Sequence, residues 1–370
     1  MSLYNFHSSQ WGHSLLIVSS ILLVTGMISL ISASAVIGIQ KHNDVFYFVK
    51  KQLLGILLGA LLGYIVLKMP IHFWQKTSSF LLIINIILII LCFIPSLQAP
   101  GAAARRWIKL GPFTVQPSEF LKITYSAFVA SLLARFSLEE RRKVGGIPFI
   151  IFIFSLAAIS GIILKQPSTG TLFTLVTASI AMYLAAGMTP VQLLSLVLIV
   201  AIGGFYVVQK TPYRLERIIY FMSPEKDPLG KGYHILQSLL GIGSGGLWGV
   251  GWGRSVQKFN YLPESHTDAI FAIIAEEFGF IGSVFILFLF LMLFSLGLKI
   301  ARSARTKFET FFAIGLICNI CIQALINIGV MTGVFPFTGV PLPFISYGGS
   351  AMITTLVSVA LLYKIALKRG

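Results

Sequence analysis

The chain has 370 residues, of which 56% are hydrophobic and only 11% are charged, and its formal net charge at pH 7 is +16. Its mean hydropathy of +0.89 excludes an ordinary soluble globular domain and predicts a polytopic membrane protein. The positive charge is spread over loops between apolar segments and forms no soluble basic face, so we predict no nucleic-acid partner.

Ten apolar segments follow one another along the chain. Each is close to the roughly 20 residues that a helix needs to cross about 30 Å of hydrocarbon. The segments lie at 14–38, 48–69, 78–96, 117–135, 147–164, 169–186, 189–209, 268–298, 309–332 and 347–367. They predict an all-α polytopic membrane domain over residues 1–370, with about ten transmembrane helices and a large outer-face loop at 210–267 between helices seven and eight.

Basic residues predict which face of the membrane the loops occupy. Three groups of lysines and arginines fall on one face if ten spans are present, and an excess of such residues marks the cytoplasmic side. The groups are Arg135, Arg141, Arg142 and Lys143; Lys299, Arg302, Arg305 and Lys307; and Lys364, Lys368 and Arg369. Both termini are therefore predicted to be cytoplasmic.

A second set of basic residues falls on the opposite, outer face, where orientation rules do not require them. Headgroup contacts and snorkelling side chains are one explanation for each of them. Collectively they indicate an anionic ligand at the outer leaflet. The set is Lys41, Lys50, Lys51, Arg105, Arg106, Lys109, Lys165, Arg214, Arg217, Lys231, Arg254 and Lys258.

The fourth apolar segment begins with an ionisable pair. Glu119 and Lys122 stand at i and i+3, so they share one face of a helix. Charged side chains at membrane depth are costly unless they face the protein interior or a watery cavity. The pair is therefore predicted to line a cavity at the outer interface, with Arg105 or Arg106 of the preceding loop near it.

The long outer loop contains two further signals. Arg214 and Arg217 again stand at i and i+3, and two guanidiniums on one face favour a shared anion such as phosphate over mutual repulsion. Interfacial snorkelling is the alternative. Nine glycines follow between Gly230 and Gly253, and they permit the close backbone approach that a re-entrant or cavity-lining segment requires.

The stretch "YLPESHTDAIFAIIAEEFG" carries acids into the eighth apolar segment. Asp268 lies where the loop becomes a helix, a partly desolvated place in which a carboxylate pKa rises toward use as a base. Glu276 and Glu277 lie about two turns deeper, and one of them is expected to organise the helix behind Asp268. His266 is interpreted as a hydrogen-bonding neighbour, and the proline-rich stretch at 332–352 offers the Ser346 hydroxyl.

These stretches together resemble the SEDS family (shape, elongation, division and sporulation), whose members include FtsW, RodA and SpoVE. The resemblance is carried in order by "RRWIKLG", "QPSEFLKI", "QPSTGT", "YRLERI", "DPLGKGYHILQSLLGIGSGGLWGVG", "YLPESHTDAIFAIIAEEFG" and "TGVPLPFISYGGS". It covers essentially the whole chain. "RSVQKFNYLPESHTD" is more similar to FtsW, whereas "TGVPLPF" is more similar to RodA, and we favour FtsW.

The resemblance implies a peptidoglycan glycosyltransferase of the bacterial plasma membrane. Its substrates would be lipid II and the undecaprenyl-linked glycan chain, with undecaprenyl pyrophosphate leaving. The essential acid of the family falls on Asp268, its glutamate and lysine on Glu119 and Lys122, and its basic pair on Arg214 and Arg217. Most members carry an aspartate in the "KQPSTGT" segment, where this chain has Ser168.

The same resemblance implies partners, namely a class B penicillin-binding protein and other divisome or elongasome membrane proteins. The chemistry needs one base for a sugar hydroxyl, together with positive charge or a divalent ion for the pyrophosphate. Asp268 with Glu264 or His266 could bind Mg²⁺ or Mn²⁺. Candidate substrate-binding residues are Arg106, Glu119, Lys122, Arg214, Arg217, His266, Glu277 and Ser346. A lipid II flippase and a division-complex scaffold are the alternative functions.

Overall fold

The computed structural model describes residues 2–98, 106–110, 113–136, 146–166, 168–228, 230 and 232–367. Within these ranges the chain forms twelve α-helices and one short hairpin. The helices are α1 (Ser2–His42), α2 (Tyr47–Lys68), α3 (Ile71–Leu91), α4 (Pro117–Arg135), α5 (Ile147–Lys165), α6 (Thr169–Ala185), α7 (Pro190–Gln209), α8 (Pro212–Met222), α9 (Tyr233–Ser244), α10 (Ile270–Arg302), α11 (Lys307–Met331) and α12 (Gly349–Leu367). The hairpin pairs β1 (Ile108–Leu110) with β2 (Phe113–Val115) in antiparallel register.

The predicted all-α membrane architecture is confirmed, and each of the ten predicted segments coincides with a helix. Eight helices in the described part of the chain are long and apolar enough to span a membrane. The other two differ for physical reasons, since α6 has only 17 residues and α4 carries the polar residues Glu119 and Lys122. The eight spans make the chain an integral membrane protein.

The third predicted segment has the wrong boundaries. It was expected at 78–96, but the helix runs over Ile71–Leu91. Pro70 stands at the N-cap with an extended backbone, and the chain turns helical directly after it. The first turns contain His72, Gln75 and Lys76, so an apolar window misses them although they are helical.

Helix α11 lies at the centre of the bundle. It packs against α4, α6, α10 and α12, and most of its side chains are buried. Three of those buried side chains are amides, Asn319, Gln323 and Asn327. Because α11 has little surface facing lipid, these amides must find hydrogen-bond partners inside the protein.

The glycine-rich segment docks against a break in α10. At Gly279 the helix takes φ 67° and ψ −163°, which only glycine adopts without strain. The Phe280 N–H donates to the Gly246 carbonyl at 2.9 Å, and the Val250 N–H donates to the Glu276 carbonyl at 3.0 Å. A Cβ at Gly249 would lie 2.2 Å from the Glu277 carbonyl oxygen, so the close backbone approach expected of this segment occurs.

The loop between α11 and α12 folds back over the start of α10. The Ser346 hydroxyl oxygen accepts from the Leu342 N–H at 2.7 Å, which closes the turn. The Tyr347 N–H donates to the His266 carbonyl at 3.0 Å. These bonds place residues 338–347 beside residues 264–269, and this junction contains Asp268.

Candidate active site

Asp268 lies in irregular backbone two residues before α10 begins and is half-buried. Its own carbonyl accepts a hydrogen bond from the Asn327 side-chain amide at 2.7 Å. Its carboxylate lies against the backbone of Gly339, where a Cβ would be 3.2 Å from Oδ2. Gly339 has φ 66°, so a larger residue there would be strained as well as crowded. Asp268 is thus held between two loops.

Three charged side chains act on the Asp268 carboxylate. Burial raises the pKa of Asp268 to about 6, the negative charge of Glu264 adds to this effect, and the positive charges of Arg106 and Arg217 oppose it. At neutral pH the group is a carboxylate, but a more basic one than an ordinary aspartate. A partly exposed carboxylate with a raised pKa suits a general base.

The two arginines of α8 bind different parts of the protein. Arg217 donates to the Phe337 carbonyl at 2.9 Å and lies over the ring of Phe337 with 5.3 Å between the guanidinium carbon and the ring centroid. Arg214 donates to the carbonyl of Leu164, at the end of α5, at 3.0 Å. Burial, and then Arg217, lowers the pKa of Arg214. Of the pair, Arg217 is the one that acts on Asp268.

His234 belongs to the same group, and the sequence analysis missed it. Its ring packs on Phe337 with centroids 4.3 Å apart. Burial lowers the pKa of His234 to about 4, although Glu264 raises it, so the imidazole is neutral at physiological pH. Its Nε2 is buried without a hydrogen-bond partner in the described part of the chain. The only sequence signal was a histidine within a glycine-rich outer stretch.

His266 differs from its expected role as a hydrogen-bonding neighbour of Asp268. Its ring packs against Phe48, with centroids 4.4 Å apart, and against Tyr347. Burial lowers the pKa of His266 to about 4, and its Nδ1 has no hydrogen-bond partner among the described residues. His266 is therefore part of an aromatic cluster behind the loop, because its side chain turns toward α2.

The Glu119–Lys122 pair forms as the spacing predicted. The Lys122 ammonium donates to both carboxylate oxygens of Glu119 at 2.8 Å, and both side chains are buried. Lys122 also donates to Gln323 Oε1 at 2.5 Å. The cavity that Lys122 lines lies between α4, α11 and α12; its other lining residues are Asn319, Ile320, Gln323, Thr354, Thr355 and Ser358.

Arg106 was expected near that pair, and its positive charge also acts on the Asp268 carboxylate. It precedes β1, and the hairpin turns the chain back before α4 begins at Pro117. The alternative candidate, Arg105, lies outside the described residues. The antiparallel register sets Ile108, two residues after Arg106, opposite Val115, two residues before α4. The sequence spacing alone does not specify this return of the chain.

Both deep acids of α10 anchor the glycine-rich segment. Glu277 accepts from the Ser32 hydroxyl at 2.5 Å and pairs with the Lys258 ammonium at 3.4 Å. Glu276 accepts from the Val256 N–H at 2.9 Å and from the Ser255 hydroxyl. One of these acids was expected to organise the helix behind Asp268, and that role stays a prediction. Glu277, a candidate for substrate binding, thus has its carboxylate engaged by the protein itself.

Two further candidates have internal partners. Ser346 is buried, and its hydroxyl oxygen and carbonyl accept from the Leu342 N–H and from the Gln52 amide. Ser168, where the family resemblance implied an aspartate, donates to the Thr171 hydroxyl at 2.9 Å. Gly170 in the next turn lies against Val340, so this end of α6 supports the loop beside Asp268.

The expected divalent cation would need ligands beyond those the chain provides. Among the described residues, no group of three histidine, cysteine, aspartate or glutamate side chains could hold a metal ion. The His266 ring packs against Phe48 and Tyr347, which leaves Asp268 and Glu264 as candidate ligands. Mg²⁺ is often held by one or two carboxylates together with substrate phosphates, so these two could contribute only to a site that substrate completes.

The described residues define a helical membrane protein in which a carboxylate with a raised pKa is influenced by two arginines. A neutral histidine packs on the same phenylalanine as one of these arginines. A family model described as "Cell cycle protein" (FTSW_RODA_SPOVE) matches residues 13–370, and the chain belongs to this family. The resemblance inferred from the motifs is therefore confirmed.

Relatives match over nearly the whole chain. Stage V sporulation protein E of Bacillus subtilis is 40% identical over 357 residues, which is 95% of this chain and 96% of that protein. The probable peptidoglycan glycosyltransferase FtsW of Trichlorobacter lovleyi is 35% identical over 98% of this chain and 94% of its own length. A solved chain described as "Structural coordination of polymerization and crosslinking by a peptidoglycan synthase complex" is 26% identical, covers 95% of this chain and 96% of its own, and has a TM-score of 0.78.

Proposed function

We propose that this protein is an inverting peptidoglycan glycosyltransferase that polymerises lipid II into glycan strands and releases undecaprenyl pyrophosphate. The observation that carries the proposal is the half-buried Asp268 carboxylate, with its pKa raised to about 6, beside Arg106 and Arg217. The name of the FtsW relative supports the same activity. A flippase or a scaffold would need cationic or contact surfaces, but neither needs a base.

In this mechanism Asp268 removes the proton from the acceptor hydroxyl of lipid II. The hydroxyl oxygen then bonds to the anomeric carbon of the undecaprenyl-linked glycan chain, on the face opposite the pyrophosphate. The carbon–oxygen bond to the pyrophosphate breaks, and its electron pair leaves with undecaprenyl pyrophosphate. This single displacement inverts the α-linked donor to a β-linked product.

The arginines near Asp268 complement the charge that develops on the leaving group. Arg217 is held by the Phe337 carbonyl and ring, so its guanidinium is oriented before substrate arrives. Preorganised donors aimed at developing charge lower a barrier without further rearrangement. Glu119, Lys122 and Arg214 remain proposed contributors to substrate binding.

We place the protein in the bacterial plasma membrane with both termini in the cytoplasm, as the positions of the basic residues indicate. A class B penicillin-binding protein would supply the cross-linking activity, together with other divisome or elongasome membrane proteins. Similarity to a solved synthase complex supports this assignment. Between the septal and lateral roles we favour the septal one.

The test is polymerisation of purified lipid II in liposomes that contain the protein, its class B partner and Mg²⁺ or Mn²⁺. We expect glycan chains from the wild type and none from Asp268→Asn. Equal yields from both proteins would remove Asp268 as the base. If neither protein makes polymer while lipid II still crosses the bilayer, the flippase function is correct.

The pH profile of polymerisation gives an independent prediction. The base form of Asp268 exists above its pKa, so the rate is expected to rise with pH through about 6 and then to level off. Glu264→Gln removes a negative charge that raises this pKa, and the acidic limb should therefore move to lower pH. Arg217→Gln should move it to higher pH. A limb near pH 4 in the wild type would contradict the assignment.

A further inference from the structure

Two amide side chains stand one turn apart on the buried helix α11. The Asn327 amide nitrogen donates to two carbonyls, those of Asp268 and Val340, at 2.7 Å each. The Gln323 amide nitrogen donates to the Pro341 carbonyl at 2.7 Å, and its oxygen accepts from Lys122. Residues at i and i+4 share a helix face, so both amides serve the same pair of loops.

Asn327 fixes the separation of two chain segments. Its two N–H groups diverge from one nitrogen, and each reaches a carbonyl of a different loop. Gly339, next to Val340, lies against the Asp268 carboxylate. The position of this loop therefore decides how closely its backbone covers the carboxylate and how much water reaches it.

Position 327 requires a hydrogen-bond donor. Both partners are carbonyl oxygens, so an aspartate or a leucine at 327 could not replace either bond. The Asn327 side-chain oxygen is itself buried without a hydrogen-bond partner in the described part of the chain. A buried acceptor without a partner is unfavourable, so the Asn327 oxygen does not favour an amide at this position. The two N–H donors are the part of the side chain that the surrounding structure uses.

We propose that Asn327 is a positioning residue for the transfer reaction, holding the 339–341 loop at a fixed distance from Asp268 so that the carboxylate stays where it abstracts the acceptor proton. Gln323 extends the same support to Pro341 and joins it to the Glu119–Lys122 pair. This inference rests on the proposed function of Asp268 as the base.

The test compares two asparagines of the same helix. Asn327→Leu keeps the approximate size of the side chain but removes both donors, and it should lower kcat at least about tenfold with little change in KM for lipid II. The loosened loop admits water, so the acidic limb should move to lower pH. The charged neighbours of the carboxylate, Glu264, Arg106 and Arg217, are unchanged by the substitution.

Asn319→Leu is the matched control. Asn319 lies about two turns away and donates to the Ser126 hydroxyl and the Gly315 carbonyl, and its oxygen is also without a partner in the described residues. It should leave the pH limb unchanged. Asn327→Gln, which retains an amide donor, should recover part of kcat. An unmoved limb in Asn327→Leu, or an equal movement in Asn319→Leu, would overturn the proposal.

Further variants distinguish a wrong positioning role for Asn327 from misfolding and from a wrong assignment of Asp268 as the base. Should Asn327→Leu not fold, Asn327→Ser keeps one donor, and an unaltered limb and kcat in that variant would overturn the positioning role. If Asp268→Asn still polymerises lipid II, the proposed base is wrong and this inference falls with it. If Asp268→Asn is inactive while Asn327→Leu matches the wild type, only the positioning role is wrong.

Discussion

Asp268→Asn is expected to reduce glycan polymerisation by about 10²–10⁴-fold, the usual contribution of a positioned general base. The substitution keeps the size and shape of the side chain, and the Asp268 carbonyl can still accept from Asn327. What disappears is the proton acceptor. The measurement is the initial rate of polymerisation with saturating lipid II and the cognate class B penicillin-binding protein.

A change in folding would not explain that loss. Burial raises the pKa of Asp268 above its ordinary value of 3.8, so at neutral pH the carboxylate is less stable in the folded protein than in the unfolded chain. A neutral asparagine removes this cost, and the melting temperature at pH 7.5 should not fall. A variant that melts early and is inactive would leave the base unidentified by this experiment, and the pH profile of the wild type would then decide the assignment.

Asp44 offers the matched control. It lies in the turn between α1 and α2, accepts from the Phe46 N–H and pairs with Lys50 at 2.8 Å on an exposed surface. Asp44→Asn makes the same chemical change in another loop, and the rate should stay within about twofold of the wild type, as is usual for surface substitutions. An equal loss in both variants would contradict a specific role for Asp268.

The helices could be predicted because their signals are local. A continuous apolar run specifies a membrane helix by its length, and ten such runs coincide with ten helices. The boundaries of α3 could not be read in this way, because Pro70 and a polar first turn define its start. The kink of α10 at Gly279 also escaped prediction, since it depends on a backbone 30 residues earlier in the chain at Gly249.

Contacts within the site could be predicted only where both residues lie on the same helix. Glu119 and Lys122 contact each other because i and i+3 fix their distance. Gln323 and Asn327 stand at i and i+4, which also share a helix face, and are amides in an apolar segment, a signal that was present but unused. Arg106 acts on Asp268, and His234 packs on Phe337, only because distant parts of the chain fold together, and no local pattern specifies either arrangement.

The partners of the two consecutive glutamates in α10 could not be predicted from helical spacing. Of Glu276 and Glu277, only one was expected to organise the helix behind Asp268, because consecutive positions on a helix point in different directions. Both are buried since the glycine-rich segment and α1 cover both directions. The sequence contained the glycines and the acids, but their pairing depends on a docking that no spacing rule describes.

Lys122→Met is expected to lower the free energy of unfolding by about 3–5 kcal/mol, because it leaves the Glu119 carboxylate buried without its cation. Both side chains of this pair are at least nine-tenths buried. The double variant Glu119→Gln with Lys122→Met removes both charges and should regain most of the stability. Thermal and denaturant unfolding of the purified protein in one detergent would measure both changes.

The double variant also separates a structural pair from a functional one. If the pair only stabilises the bundle, polymerisation should return together with stability. We expect instead that the rate stays at least about tenfold below the wild type, since Gln323 loses the Lys122 donor and the cavity loses its charge. Lys50→Met, which breaks the exposed pair with Asp44, is the matched control and should change neither quantity appreciably. A small stability loss in Lys122→Met would mean that water already solvates the pair, and full activity in the double variant would remove it from the substrate-binding site.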